Sequence, residues 1–388
     1  MKFVRKKMNL NKYIDNVFKV SSIAKQDPQG INATVGCLCD EDGKLLTFKT
    51  VFENEKNISF ANNAAYASPS GNNNYLDTIK EFVLGDRVKT PSRILATAGG
   101  TGCLFMGLKT CLDENDTVIF PEIAWGNYGV IAQELNLNPV FYDIYDINSM
   151  FQRIDEAKDK VVLVINSPCH NPCGLSYTYD EWKAIFDKLN NCGKEVVLLN
   201  DVAYIDYAYS DAKKYFELFN HLNDNVLVLI AYSCSKSFSY YGKRVGAFIT
   251  INNDEEFLDT YLNYCTRVAR ATWSNVNNGA MQNIADVLKN HFDEYIKEKQ
   301  QAIDMIKKRS DLFVKQAKEC GLDTYPYTEG FFVTLRVPDL EKRDLIHENL
   351  IKNHIYTIKV KKGIRIGLCS ISLKTADGLA KKIKDIIG

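Results

Sequence analysis

The chain has 388 residues, 46% of them apolar and 25% charged, the balance of an ordinary globular protein long enough for two domains. Lysine plus arginine and aspartate plus glutamate both number 48, so no net field draws the chain to nucleic acid or anionic lipid. No apolar run approaches the roughly 18 residues a membrane span needs.

Residues 1 to about 30 read as polar and irregular, closing on the turn Asp27-Pro28-Gln29-Gly30. The basic start, Met1 to Met8, lacks the apolar segment of a signal peptide. The eleven cysteines are scattered without zinc-ligand spacing and read as free thiols, so a cytoplasmic protein is expected. A short strand is predicted over 31–36, and Asp40-Glu41-Asp42-Gly43-Lys44 is a turn between apolar flanks. Residues 60–74 read as an exposed loop around Tyr66, and 76–83 as a helix. Strands then alternate with helices: strands over 94–97, 116–120, 140–142, 160–166, 195–200, 226–231 and 245–251, helices over 103–112 and 182–190. Continuous β-branched runs in that alternation predict a parallel sheet covered on both faces. Beyond Ala280, apolar residues from Tyr295 to Ala317 recur at helical spacing, and Gly321 reads as the C-cap. Strands over 331–337 and 364–369 bracket a helix over 345–351, which makes a smaller α+β domain.

The residues that carry chemistry sit at the ends of the predicted strands. Ser233-Cys234-Ser235-Lys236-Ser237-Phe238 follows a buried strand, and Arg244-Val245-Gly246 comes soon after. Burial penalises an ammonium group, so Lys236 either pairs with an anion or becomes a nucleophilic amine, the kind that joins an aldehyde cofactor as a Schiff base. Ser233, Ser235 and Arg244 add donors for a phosphate, and the combination suggests pyridoxal phosphate. Gly99-Gly100-Thr101-Gly102, between a strand and a helix, suits a monophosphate or is simply a tight turn. Asp201 and Tyr204 lie at another strand end, where a carboxylate either needs a cationic partner such as a pyridinium or belongs to a surface turn. Asn166-Ser167-Pro168-Cys169-His170-Asn171-Pro172-Cys173-Gly174 presents Asn171 rigidly, and His170 reads as a satisfied structural histidine. Trp125 packs in the core or stacks on an aromatic ring. Arg365, a charge inside an apolar strand, is either an edge residue or a fork for a carboxylate. Arg270 reads as surface charge on chemistry alone.

These motifs together resemble the class I, fold-type I pyridoxal-phosphate aminotransferases, aspartate and aromatic subgroup, over residues 31 to about 372. The S-x-S-K-x-F run with its arginine eight residues after Lys236 carries most of the likeness, and Val35-Gly36 before Asp40-Glu41-Asp42-Gly43 is similar to the subgroup's N-terminal signature. The resemblance implies a mostly parallel seven-stranded sheet covered by helices. It divides the chain into an N-terminal arm (1–35), a large cofactor-binding domain (36–275) and a small C-terminal domain (276–388). It implies that Lys236 carries the cofactor and moves the proton, that Asp201 holds the ring nitrogen, and that Tyr204 and Asn171 hold the ring oxygen. Trp125 would stack on the ring, while Gly100, Thr101, Ser233 and Arg244 would hold the phosphate. Arg365, with Gly36, Trp125 and Asn171, would bind the substrate. Tyr66 and Arg270 would serve a neighbouring subunit, Arg270 taking a distal carboxylate, in a homodimer with shared sites. Three departures bear on substrate choice: Val276-Asn277-Asn278 in place of prolines, Cys173 in place of threonine, and Tyr128 where a histidine is common. The implied activity is transfer of an amino group from aspartate, glutamate or an aromatic amino acid to a 2-oxo acid. A cysteine–sulfur β-lyase on the same fold and a non-catalytic cofactor-binding regulator are the alternatives.

Overall fold

A computed structural model describes residues 16–388. The basic start at Met1 to Met8 lies outside the described residues. A short strand β1 (Ile31–Asn32) leads into seven strands that form one sheet: β2 (Ser92–Thr97), β3 (Thr117–Pro121), β4 (Asn138–Tyr142), β5 (Lys160–Asn166), β6 (Glu195–Asp201), β7 (Val226–Ser233) and β8 (Gly246–Ile251). Their spatial order is β2-β8-β7-β6-β5-β3-β4, and only β8 runs antiparallel to its neighbours. Every residue of β7 and β8 is buried, as a sheet covered on both faces requires. Adjacent residues of one strand serve opposite faces: Leu198 joins one apolar cluster and Leu199 the other.

A second, antiparallel sheet holds β9 (Phe332–Arg336), β11 (Ile358–Val360) and β12 (Gly363–Gly367), in the order β11-β12-β9. β10 (Ile355–Tyr356) pairs in parallel with β1, which ties the chain near Ile31 to the C-terminal part. The helix Phe292–Cys320 ends at Gly321, whose φ of 69° is the left-handed cap. Among the described residues no helix is long and apolar enough to cross a membrane.

Three local readings are corrected. Residues read as irregular contain the helix Asn16–Gln26, which buries only Ser21 and Ala24 and so leaves little apolar pattern in the sequence. The strand expected over 31–36 is confined to Ile31–Asn32, because beyond it the backbone turns toward other partners: the Ala33 carbonyl accepts from Gly367 N–H at 2.8 Å and the Thr34 carbonyl from Arg365. The loop over 60–74 includes a short helix, Phe60–Ala64, capped by the Ser59 hydroxyl, with none of its residues buried.

The register brings function into line. Asn166 at the end of β5 pairs with Asp201 at the end of β6, and Asp201 pairs with Ala231 near the end of β7. Three carboxyl ends thus stand abreast, where open α/β sheets bind ligands.

Candidate active site

β7 ends at Ser233 and passes directly into the short helix Cys234–Ser237. Lys236 projects from it, its Nζ donating to the Gly36 carbonyl at 2.8 Å and lying 4.6 Å from the centre of the Tyr241 ring. Hydroxyls clamp its backbone: Tyr207 donates to the Lys236 carbonyl at 3.3 Å and Tyr295 to the Ser237 carbonyl at 2.8 Å. Burial pushes the Lys236 ammonium below its usual range, and Arg244 and Arg365 push the same way against the thiols Cys37 and Cys369. The free amine is therefore easier to reach than in water, as a nucleophile or base requires.

Asp201 is 5% exposed. The Tyr128 hydroxyl donates to its Oδ2 at 2.6 Å and the Ala203 N–H to its Oδ1 at 3.1 Å. Burial raises its pKa to about 6, against the stabilising pull of those two bonds and of Lys236. A buried carboxylate so raised favours a cation beside it. Arg365 donates through Nη1 to Asn171 Oδ1 at 3.1 Å, and Asn171 Nδ2 donates to the Tyr204 hydroxyl at 3.4 Å. Arg365 also bonds the Thr34 carbonyl and stacks 4.4 Å from the centre of the Phe332 ring, yet its buried Nε has no partner. A planar, buried guanidinium with a free donor is able to receive a carboxylate.

The third region could cradle a phosphate. The helix Gly99–Cys111 starts against Ser233 and Arg244. Gly99 has φ +73°, a conformation that favours glycine, and a Cβ there would lie 2.6 Å from Arg244 Nη2, so the guanidinium packs directly on its backbone. A Cβ at Gly246 would lie 2.7 Å from the Gly99 carbonyl carbon, which explains the glycine that opens β8. Arg244 has a left-handed backbone at φ 57° and donates to Ser235 Oγ at 3.2 Å and to the Tyr241 carbonyl at 2.7 Å. Both acceptors are neutral. With the free N–H groups of the helix start near Gly100 and Thr101, the guanidinium offers donors for a dianion. The amine, the buried carboxylate and this cradle match the aldehyde, ring nitrogen and phosphate of pyridoxal phosphate, so the residues present fit that group.

Two expected residues stand apart. Tyr66 and Arg270 line one open concavity of about 600 Å³ with Ala67, Pro69, Ser274 and Asn275. Arg270 donates to Ser274 Oγ, and no hydrogen bond or ion pair among the described residues joins either residue to Lys236, Asp201 or Arg365. Arg244, Arg270 and Arg365 all lack a carboxylate partner among the described residues. Trp125 is half-buried, edge-on to Tyr128 at 5.8 Å. His170 is buried as expected but not satisfied: neither ring nitrogen has a hydrogen-bond partner, and burial lowers its pKa to about 3. Sequence reasoning noticed Tyr128 only as a departure and missed its bond to Asp201; its place just after Gly126-Asn127 was the available signal.

The chain is similar in sequence and fold to known aminotransferases. A cytoplasmic aspartate aminotransferase of Dictyostelium discoideum is 26% identical over 67% of this chain and 63% of its own length. An aromatic-amino-acid aminotransferase of Escherichia coli is 25% identical over 71% of this chain and 73% of its own. The crystal structure of an aminotransferase from Anaerococcus prevotii superposes with a TM-score of 0.95 at 28% identity, covering 99% of both chains. The family model for aminotransferase class I and II matches residues 28–383, and the chain belongs to that pyridoxal-phosphate-dependent family.

Proposed function

We propose that this protein is an aminotransferase that moves the amino group of an L-amino acid, aspartate, glutamate or an aromatic one, to a 2-oxo acid such as 2-oxoglutarate. The observation that carries the reading is the Lys236 amine, held by the Gly36 carbonyl between the buried Asp201 carboxylate and the Arg365 fork. When bound, pyridoxal phosphate supplies an electron sink that stabilises negative charge at the substrate Cα. Asp201 would accept a hydrogen bond from the protonated ring nitrogen, and Tyr204 and Asn171 would donate toward the ring oxygen. Trp125 would cover the ring, while Gly100, Thr101, Ser233 and Arg244 would hold the phosphate. Arg365 takes the substrate carboxylate, and its bond to Asn171 couples that grip to the Tyr204 phenol. Lys236, once released from Gly36, would act as the base that takes up and hands on the substrate Cα proton.

Each chain lends Tyr66 and Arg270 to the site of a second copy, so the working unit is a homodimer. Arg270 there meets the distal carboxylate of aspartate or glutamate. The division into an arm (1–35), a large domain (36–275) and a small domain (276–388) is supported by the pairing of Ile31–Asn32 with Ile355–Tyr356. A cytoplasmic location is supported by eleven cysteines that are all free. A half-reaction screen tests the activity: the reconstituted protein is mixed with each of the twenty amino acids and its near-visible absorption followed. Loss of the cofactor's band with aspartate, glutamate or an aromatic amino acid is expected; no change with any of the twenty overturns the reading.

A further inference from the structure

The one departure from the family pattern that touches the buried carboxylate is Tyr128. It sits in the first turn of the helix Asn127–Glu134 and is 2% exposed. The Phe120 ring stacks on it at 5.5 Å and 15°, and Trp125 meets it edge-on at 84°. The phenol is thereby fixed in direction, and its hydroxyl meets Asp201 Oδ2 at 2.6 Å, the length of a charge-assisted O–H···O⁻ bond. We propose that Tyr128 is a positioning residue for Asp201: it pins one carboxylate oxygen, keeps the group ionised and aims it at a ring nitrogen, without ever carrying a positive charge of its own.

A histidine at this place could do the first two things but would titrate. The groups facing Asp201 leave that role to the phenol. From the helix Gly99–Cys111 comes Cys103, whose thiol burial raises to about 12. Tyr204 follows on the same segment and is itself pushed up by burial. Lys236 comes from beyond β7 and tends toward the neutral amine. Tyr128, buried beside a carboxylate, stays protonated at every working pH. The ionised state of Asp201 is thus supported by a dipole whose strength does not change with pH.

The inference rests on the site assignment proposed above, and the test separates the two. Pyridoxamine 5′-phosphate has no aldehyde, so its affinity for the apoprotein reports ring and phosphate contacts without a bond to Lys236. An analogue with CH in place of the ring nitrogen removes the partner of Asp201. Tyr128→Phe is expected to weaken pyridoxamine phosphate by roughly ten- to a hundredfold and to leave the nitrogen-free analogue unchanged. Tyr128→His, which restores a donor, should recover most of the loss. In an Asp201→Ala background Tyr128→Phe should add nothing further, because the two residues act as one. Equal weakening of both ligands, or an undiminished effect in the Asp201→Ala background, would make Tyr128 a packing residue and overturn the proposal. Failure of the unsubstituted apoprotein to bind pyridoxamine phosphate would instead overturn the site assignment, and the proposal with it.

Discussion

Asp201, Asn171 and Arg365 are at most 6% exposed, whereas Tyr66 is 89% exposed and Arg270 stands in an open concavity, although all five are polar groups assigned to one reaction. The buried three are already tied to their surroundings by hydrogen bonds that span up to 331 positions of sequence. Their desolvation has been met by folding, and they are poised before any ligand arrives. The exposed pair has no such support. Phe60, 94% exposed on the neighbouring short helix, adds a large apolar side chain with nothing over it. On the proposed reading, one half of the site is finished within a chain and the other half is completed by a second copy.

The largest effect should come from breaking the finished half at its centre. Lys236→Ala removes both nucleophile and base and is expected to lower turnover by roughly 10⁴-fold. It should also abolish cofactor that borohydride fixes to the protein; retained covalent label would place the attachment elsewhere. Next comes the waiting half. Arg270→Ala should weaken aspartate and glutamate by about a hundredfold, because a desolvated carboxylate loses its partner, and should barely change phenylalanine. An equal loss for all three in kcat/KM would show that Arg270 is not the distal clamp. Smaller still, Tyr66→Phe should cost about tenfold in cofactor affinity, one hydrogen bond to a charged phosphate. Mixing Tyr66→Phe chains with Lys236→Ala chains sharpens the comparison. Each mixed dimer should regain one site of normal affinity, built from the intact lysine of one chain and the intact tyrosine of the other. No recovery on mixing would mean that the two halves belong to the same chain.

The same contrast governs what could be read from sequence. β5, β6 and β7 were legible because burial on both faces demands unbroken apolar runs, and that demand is local. The direction of β8 was not, since a strand buried on both faces has the same pattern whichever way it runs. Lys236, Asp201 and Arg244 were legible as charges placed where a globular chain would not put them without a partner. The Tyr128–Asp201 bond was invisible, because it joins positions 73 apart and a phenol near a strand end has no motif. That Tyr66 and Arg270 share a concavity, 204 positions apart, likewise depends on how the helix Glu255–Thr272 ends against the loop after Ala64, which no local pattern encodes.

The smallest effect belongs to the buried half alone. His170 lies in the loop after β5, where its N–H donates to the Leu175 carbonyl at 2.9 Å, and neither nitrogen of its buried ring has a hydrogen-bond partner. Burial holds the ring neutral, with a pKa of about 3 in place of the ordinary 6.5. The sign follows: the unfolded chain takes up a proton at His170 before the folded one does. Its contribution to stability is therefore complete above pH 6.5 and is lost steadily as pH falls toward 3. His170→Leu removes the titrating group without orphaning any bonded partner. Relative to the unsubstituted protein, the variant should gain about 1 kcal/mol on moving from pH 7.5 to pH 6, measured by urea unfolding at the two values. Identical pH dependence in both proteins would mean that His170 is charged or hydrogen-bonded after all. Because the ring touches only groups of its own chain, the gain should not change with protein concentration, whereas any effect seen at Tyr66 or Arg270 should.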